Sequence, residues 1–373
     1  MTLKVSWPQA LAWRLERQLL NPVGDLSVAD TVRRLCGVQA QVASSAELAV
    51  RVRRQASQAG EVTRALARGT LIKTWAMRGT LHLLNPEDAG SYLSLLAAGR
   101  SWEAPSWQKW FGVGPEEIEA LRVAAREALD GTSLTREELA AAVTKKRGLG
   151  HIGKELASSW GTLLKPLAWQ GDLALGPSRG NRVTFVRPDQ ASARWAGVPE
   201  PDDAAPAAIL AYLSAYGPAT VEGFSNFISR GRVSKRSLKG WFAALGDRVT
   251  AVDVDSEQSY VRTEDLDELA GAKPTKALRL LPGFDQWVLG PGTDDPRIVA
   301  PARRAAVSRQ AGWISPVVVL GGVVAGTWEL DGPTARISWF GEAGKPQKQA
   351  LGAETTRLAT ILGRDLAVEV VIA

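Results

Sequence analysis

The sequence predicts an α+β protein: three consecutive winged-helix units, then a strand-rich subdomain. Three observations carry this. Helix, helix, helix, strand pair is the order between residues 25 and 96, and the same order recurs over 115–187 and 204–262. Beyond residue 273 the pattern turns to short apolar runs around a Gly-Gly turn. Breaks rich in Pro, Gly and charge separate the stretches, at "AAGRSWEAPSW", "GVPEPDDAAP" and "AGAKPTKA". The expected segments are therefore 1–104, 105–198, 199–272 and 273–373, and 373 residues is more than one core usually serves.

In the first unit Leu26, Ala29, Val32, Leu35 and Cys36 recur at helical spacing, and Gly37 follows as a C-terminal stop. A second helix is expected from "SSAE", where Ser44 and Glu47 have capping-box spacing, and a third at "EVTRALARG". "LIKTWAMRGTLHLL" then alternates as two short strands around Arg78 and Gly79. The second unit reads "PEEIEALRVAAREALD", "TREELAAAVTKKRG" with a Thr135–Glu138 capping box, one helix over "KELASSWGTLLKPLAWQ", and strands "DLALG" and "NRVTFV". The third reads "APAAILAYLSAYG", "ATVEGFSNFIS", "SKRSLKGWFAALG", then "RVTAVDV" and "QSYVRT". At the end come "KALRLLPGFDQWVLG", a hairpin of "SPVVVL" and "VVAGTW" joined by Gly321 and Gly322, "ARISWF", a helix "PQKQALGAETTRLATILG" and a strand "LAVEVVIA".

Hydrophobic content of 45 % and charge of 23 % are ordinary for a folded globular chain. A net charge of +6 and a pI near 9.5 favour a polyanionic partner. One cysteine, Cys36, closes no internal disulfide, and with only His82 and His151 a zinc site is not expected, so no metal or cofactor is predicted. The start, "MTLKVSWPQALAWRLERQ", has charges and a proline where a secretory core would be apolar, and "WISPVVVLGGVVAGTW" is too short for a membrane span. A reducing cytoplasm is the expected setting, and the Ala-, Gly- and Arg-rich composition fits a GC-rich genome.

Basic clusters fall at Arg51, Arg53 and Arg54, at Lys145, Lys146 and Arg147, at Lys235, Arg236 and Lys239, and at Arg303 and Arg304. The third cluster opens the helix that a helix-turn-helix protein uses for recognition, where free backbone N–H groups also suit phosphate. The bland alternative for each is a solvated helix face. Of 14 tryptophans most, including Trp160, Trp169 and Trp241, occupy apolar helical positions and read as core.

The stretch "VQAQV", residues 38–42, poses a sharper question. In a continuous helix Gln39 and Gln41 would point about 200° apart. If Gly37 ends the helix, the stretch is extended and alternation puts both amides on one side. They then either bond backbone within a linker or hold a water or polar substrate atom. Amides do not titrate near neutrality, so such a site suits a leaving group that needs no protonation.

"CGVQAQ", "SSAELAVRVR", "TLIKTWAMRGTLHLL", "LLPGFDQWVLG" and "VVVLGGVVAGTWEL" together resemble the tandem winged-helix bacterial DNA glycosylases of the AlkZ/YcaQ family, from about residue 5 to the end. Gln39-Ala40-Gln41 is similar to the Gln–apolar–Gln branch rather than the Gln–apolar–Asp branch. The resemblance implies three winged helices and a β-rich part in a C-shaped monomer with a concave basic surface, acting on damaged double-stranded DNA without an obligate protein partner. It implies hydrolysis of the N-glycosidic bond of alkylated purines, including unhooking of interstrand crosslinks made by genotoxic natural products, as self-resistance. Gln39 and Gln41 would be catalytic, one orienting water and one supporting the oxocarbenium-like sugar, because an N7-alkylated purine leaves as a neutral base. No lysine adjoins the motif, so a monofunctional enzyme is expected. Arg78 and His82, in "MRGTLH", are expected beside the DNA, with a buried wing histidine as the alternative.

The competing class is a non-catalytic DNA-binding regulator or sequestering resistance protein, since most winged helices do no chemistry. Three units and no heptad seam favour a monomeric clamp over a dimeric regulator. A small-molecule hydrolase lacks a Gly-x-Ser-x-Gly elbow.

Overall fold

The computed structural model describes residues 2–158 and 161–373, which leaves Trp160 outside the described residues. In chain order the elements are β1 (Lys4–Val5), α1 (Trp7–Arg17), α2 (Val28–Arg34), β2 (Val38–Gln39), α3 (Ala43–Arg51), α4 (Glu61–Ala67), β3 (Ile72–Ala76), β4 (Thr80–Leu84), α5 (Pro86–Ala97), α6 (Pro105–Phe111) and α7 (Pro115–Ala128). There follow β5 (Leu134–Thr135), α8 (Arg136–Val143), α9 (Gly153–Ala157), α10 (Lys165–Trp169), β6 (Ala174–Arg179), β7 (Arg182–Val186), α11 (Pro188–Ala191), α12 (Pro201–Tyr216), α13 (Val221–Ser229), α14 (Lys235–Ala244), β8 (Val249–Val254) and β9 (Glu257–Arg262). The chain ends with α15 (Leu266–Gly271), β10 (Leu278–Leu281), α16 (Gln286–Leu289), α17 (Arg304–Val307), β11 (Val317–Leu320), β12 (Val323–Asp331), β13 (Thr334–Trp339), α18 (Lys348–Leu362) and β14 (Ala367–Ile372). This order fits the three expected helix–helix–helix–strand-pair units.

Two local expectations change. The helix expected over residues 154–170 is not continuous: α9 ends at Ala157 and α10 begins at Lys165. Between them Gly161 sits at φ 60°, where a Cβ would come within 2.6 Å of the Trp75 ring. The Ser44–Glu47 box does not form either, because α3 starts one residue early, with Val42 at the cap and no side-chain cap bond. Glu47 instead accepts from the Glu61 and Val62 amides, both at 3.1 Å, and so caps α4. The Thr135–Glu138 box does form, with bonds of 2.7 and 3.3 Å.

The elements assemble into two compact units, one of Met1–Val62, Ile209–Phe227 and Leu245–Ala373, the other of Thr63–Ala208 and Ile228–Ala244. The first contains a five-stranded sheet in the order β10-β11-β12-β13-β14, antiparallel except for the last pair. Strand alternation divides its side chains between two cores. Leu278, Leu280, Val318, Ile337 and Trp339 pack with Leu351 and Leu358 of α18. Leu281, Val317 and Val319 pack with Leu11 and Leu15 of α1 and with Trp287. Gly321 and Gly322, at φ 58° and 97°, make the expected turn between β11 and β12. The same unit holds β1-β8-β9, in which β1 pairs in parallel with β8, Lys4 lying opposite Asp253.

In the second unit the strand pairs β3–β4 and β6–β7 belong to one sheet, joined at Lys73↔Leu175. Trp75 stacks on Phe185 with ring centres 5.9 Å apart. Trp169 is buried, and buried Trp241 donates its indole N–H to Asp202 at 2.8 Å. Both are core residues, as their helical spacing predicts.

Candidate active site and nucleic-acid interface

The glutamines lie just past a sharp corner. α2 ends at Arg34, and Cys36 and Gly37 both adopt left-handed backbone, at φ 56° and 92°. The Gly37 amide donates back to Val32 and the Cys36 amide to Arg33, each at 3.0 Å, which uses up helix-end carbonyls. The chain then leaves in the extended conformation of β2, so the continuous-helix alternative for "VQAQV" is excluded. Alternation does not carry through to the second glutamine, however. β2 stops at Gln39, the chain bends at Gln41 and Val42, and Ala40 is buried. Gln39 is only 6 % exposed while Gln41 is exposed. One amide is thus enclosed and the other open, within three residues of backbone. Directly after them, α3 starts with no side-chain cap, leaving its first N–H groups and the positive end of its dipole beside Gln41.

The "RVRR" cluster is not the solvated basic face that its spacing allows. Arg53 is fully buried and meets Asp285 through two bonds of 2.8 and 2.7 Å. Arg54 pairs with Glu61 and donates to the Leu26 carbonyl at 2.8 Å. Arg51, expected on DNA, is buried with its guanidinium on the Ile361 carbonyl and on Ser57. The turn after α3 tucks inward, so these charges serve packing.

In the second unit Arg78 occupies the left-handed position between β3 and β4, at φ 59°. His82 is wholly buried, and its Nδ1 donates to the Thr80 carbonyl at 2.9 Å. Burial, with Arg78 as a lesser cause, pushes its pKa down to about 3. The ring is therefore neutral and enclosed, the alternative to direct DNA contact. On β3, burial lowers the Lys73 ammonium below its usual range.

The other predicted cations divide. Lys145, Arg147, Lys235, Arg236, Lys239 and Arg304 are exposed and make no ion pair among the described residues. Lys146 is exposed but bonds Glu127 at 2.6 Å. Arg303 is held by Glu342 at 2.7 and 2.8 Å, which drives that carboxyl down to about 2, and its guanidinium lies over Phe340. Arg230 and Arg232, just ahead of α14, are also exposed, and with Lys165 they form a like-charged group. Sequence spacing alone could have found "RGR", but nothing local brings Lys165 to it.

Comparison with known proteins decides the family. The profile of "DNA glycosylase AlkZ-like" matches residues 32–361. The chain belongs to the AlkZ-like DNA glycosylase family. It is 47 % identical to the "Interstrand DNA cross-link repair glycosylase" of Streptomyces sahachiroi, over 97 % of this chain and 98 % of that protein. The solved structure of Streptomyces sahachiroi DNA glycosylase AlkZ superposes with a TM-score of 0.96, covering 99 % of this chain and all of that one.

An open cavity of about 880 Å³ begins at the uncapped start of α3. Ser44, Ser45, Arg51, Arg309, Trp313 and Arg336 line it. Trp313, 47 % exposed, stands edge-on to Phe284 at 5.1 Å. No helix among the described residues is long and apolar enough to cross a membrane, and no three of their His, Cys, Asp and Glu side chains gather as a metal set.

Proposed function

We propose that this AlkZ-like glycosylase hydrolyses the N-glycosidic bond of N7-alkylated purines in duplex DNA, including bulky natural-product adducts and interstrand crosslinks. Gln39 and Gln41 are its catalytic pair. The observation that carries the reading is the pair of uncharged amides after the Cys36–Gly37 corner, one enclosed and one open, beside the uncapped start of α3. An N7-alkylated purine departs neutral, so the enzyme has only to place water and to support positive charge developing on the sugar. Carbonyl oxygens of amides do both; the base takes up no proton as it leaves, and the proton shed by the attacking water passes to solvent.

The cavity at the start of α3 is open to solvent, which suits a base that stays tethered to the opposite strand and cannot be swung fully out of the duplex. The exposed, unpaired cations hold the phosphates, and the enzyme works as a monomer in the bacterial cytoplasm, protecting its host against a genotoxic natural product. Hydrolysis by water leaves an abasic site without strand cleavage.

Base release from duplexes carrying an N7-alkylguanine or an interstrand crosslink tests this. Excision by the wild type that is lost in Gln39→Ala and Gln41→Ala supports the reading, and binding without release in the wild type returns the protein to the non-catalytic class. Borohydride should trap no protein–DNA adduct; trapping through the depressed amine of Lys73 would make the enzyme bifunctional instead.

A further inference from the structure

We propose that Gln286 is a positioning residue for the glutamine motif, acting with Tyr216 from either side of the Cys36–Gly37 corner. This rests on the reading of Gln39 and Gln41 as the catalytic pair. The corner is an unusual piece of backbone: two consecutive left-handed residues, of which Cys36 carries a side chain. Its carbonyls are gripped by side chains remote in sequence. Tyr216 Oη donates to the Leu35 carbonyl at 2.7 Å, and Gln286 Nε2 donates to the Gly37 carbonyl at 2.6 Å. The ψ angle of Gly37 sets the direction of β2, and Gln39 is two residues on. The Gln286 bond therefore pins the Gly37–Val38 peptide plane, one residue before Gln39.

Three features separate this from ordinary packing. Gln286 is fully buried, and its Oε1 has no hydrogen-bond partner among the described residues. The orientation is forced, because only the –NH₂ can face a carbonyl. A buried acceptor left unmatched is costly, and the fold bears that cost at Oε1 while the –NH₂ satisfies the buried Gly37 carbonyl. Next, Gly290 lies one turn after Gln286, and a Cβ there would fall 2.0 Å from Tyr216 Cε1. Its missing side chain is what admits the tyrosine ring that holds Leu35. Last, Asp285 anchors Arg53, which also donates to the Ala49 carbonyl of α3 at 2.8 Å. Residues 285 and 286 thus hold the motif-bearing segment at both ends, before β2 and after α3.

The test is single-turnover excision of N7-methylguanine from a duplex, with DNA affinity measured in parallel, for Gln286→Met, Gln286→Glu, Tyr216→Phe and the two motif alanine variants. Gln286→Met trades an unmatched Oε1 for an unmatched Gly37 carbonyl; it should bind DNA within about two-fold, yet lose at least about ten-fold in rate constant at full amplitude, as misplaced reacting groups do. Tyr216→Phe should lose less, roughly three-fold, because the Gln286 bond remains. Gln286→Glu donates to Gly37 only when protonated, so its rate relative to wild type should climb as pH falls, a signature that a packing role would not produce. A wild-type rate constant in Gln286→Met alongside inactive motif variants would overturn the clamp and leave the glutamine reading standing. So would a loss confined to amplitude, which reports misfolded protein, or a pH-independent ratio for Gln286→Glu. Motif alanine variants that excise normally would instead sink the glutamine reading, and the clamp with it.

Discussion

Residues 35–42 and residues 230–239 differ in how they hold their polar groups, and on the proposed function they serve DNA in opposite ways. The first stretch holds two neutral amides at a corner whose carbonyls are bonded by buried side chains from residues 216 and 286. The second holds Arg230, Arg232, Lys235, Arg236 and Lys239, all exposed and without an ion pair among the described residues. Buried neutral bonds constrain geometry tightly and attract nothing from a distance. Exposed cations attract a polyanion over roughly 10 Å but specify little about where any atom sits. Chemistry needs the first property and affinity the second, so substitutions in the two stretches should leave different signatures.

The largest effect is expected at the anchor beneath the corner. Arg53→Met strands the buried Asp285 carboxylate and should cost about 3–5 kcal/mol in a urea titration. A loss under 1 kcal/mol would mean that the corner stands without that ion pair. Next in size, Gln41→Ala should lower single-turnover base release by about 10²–10³-fold, comparable to removing one preorganised group from a transition state, with DNA affinity unchanged. A matching loss of affinity would put Gln41 with the cations instead.

A smaller effect concerns His82. Its folded pKa of about 3 lies below the unfolded value near 6.5, so the unfolded chain takes up the proton first as pH falls. The stability from keeping the ring neutral is complete above about pH 6.5 and drains away down to about pH 3, a few kcal/mol in all. Melting temperatures between pH 6.5 and 4.5 should therefore fall less steeply in His82→Gln, and an unchanged slope would mean that His82 is open to solvent. Smallest of all, Lys235→Ala and Arg236→Ala should each reduce the slope of log affinity against log salt by roughly 1, uniformly across DNA sequences. An effect on the excision rate constant instead would blur the division between the two stretches.

How far the sequence could be read differs between these regions for the same reason. Lys235, Arg236 and Lys239 open a helix at the expected place because propensity and capping by Ser234 are local matters. The "RVRR" run misleads, since nothing within it says that Arg53 will find Asp285, 232 residues away. Likewise Ser44 and Glu47 have the right spacing for a cap, but the helix starts at Ala43 and Glu47 is taken by α4. His82 sits on a predicted strand, yet its complete burial comes from layers packed over it.

By itself the sequence determined what steric rules and short-range bonds decide. Gly37 follows α2 as its stop, Gly321–Gly322 turns a hairpin, and Thr135–Glu138 caps α8. Each follows from backbone freedom or from a partner within a few residues. Only the tertiary structure decided that Gln39 is enclosed while Gln41 is open, that Arg51 and Arg53 are interior, and that Gln286 and Tyr216 meet either side of the corner. Those outcomes depend on which remote segments share a core. Burial, and the partner that makes a buried polar group tolerable, are properties of the packed chain rather than of any window along it.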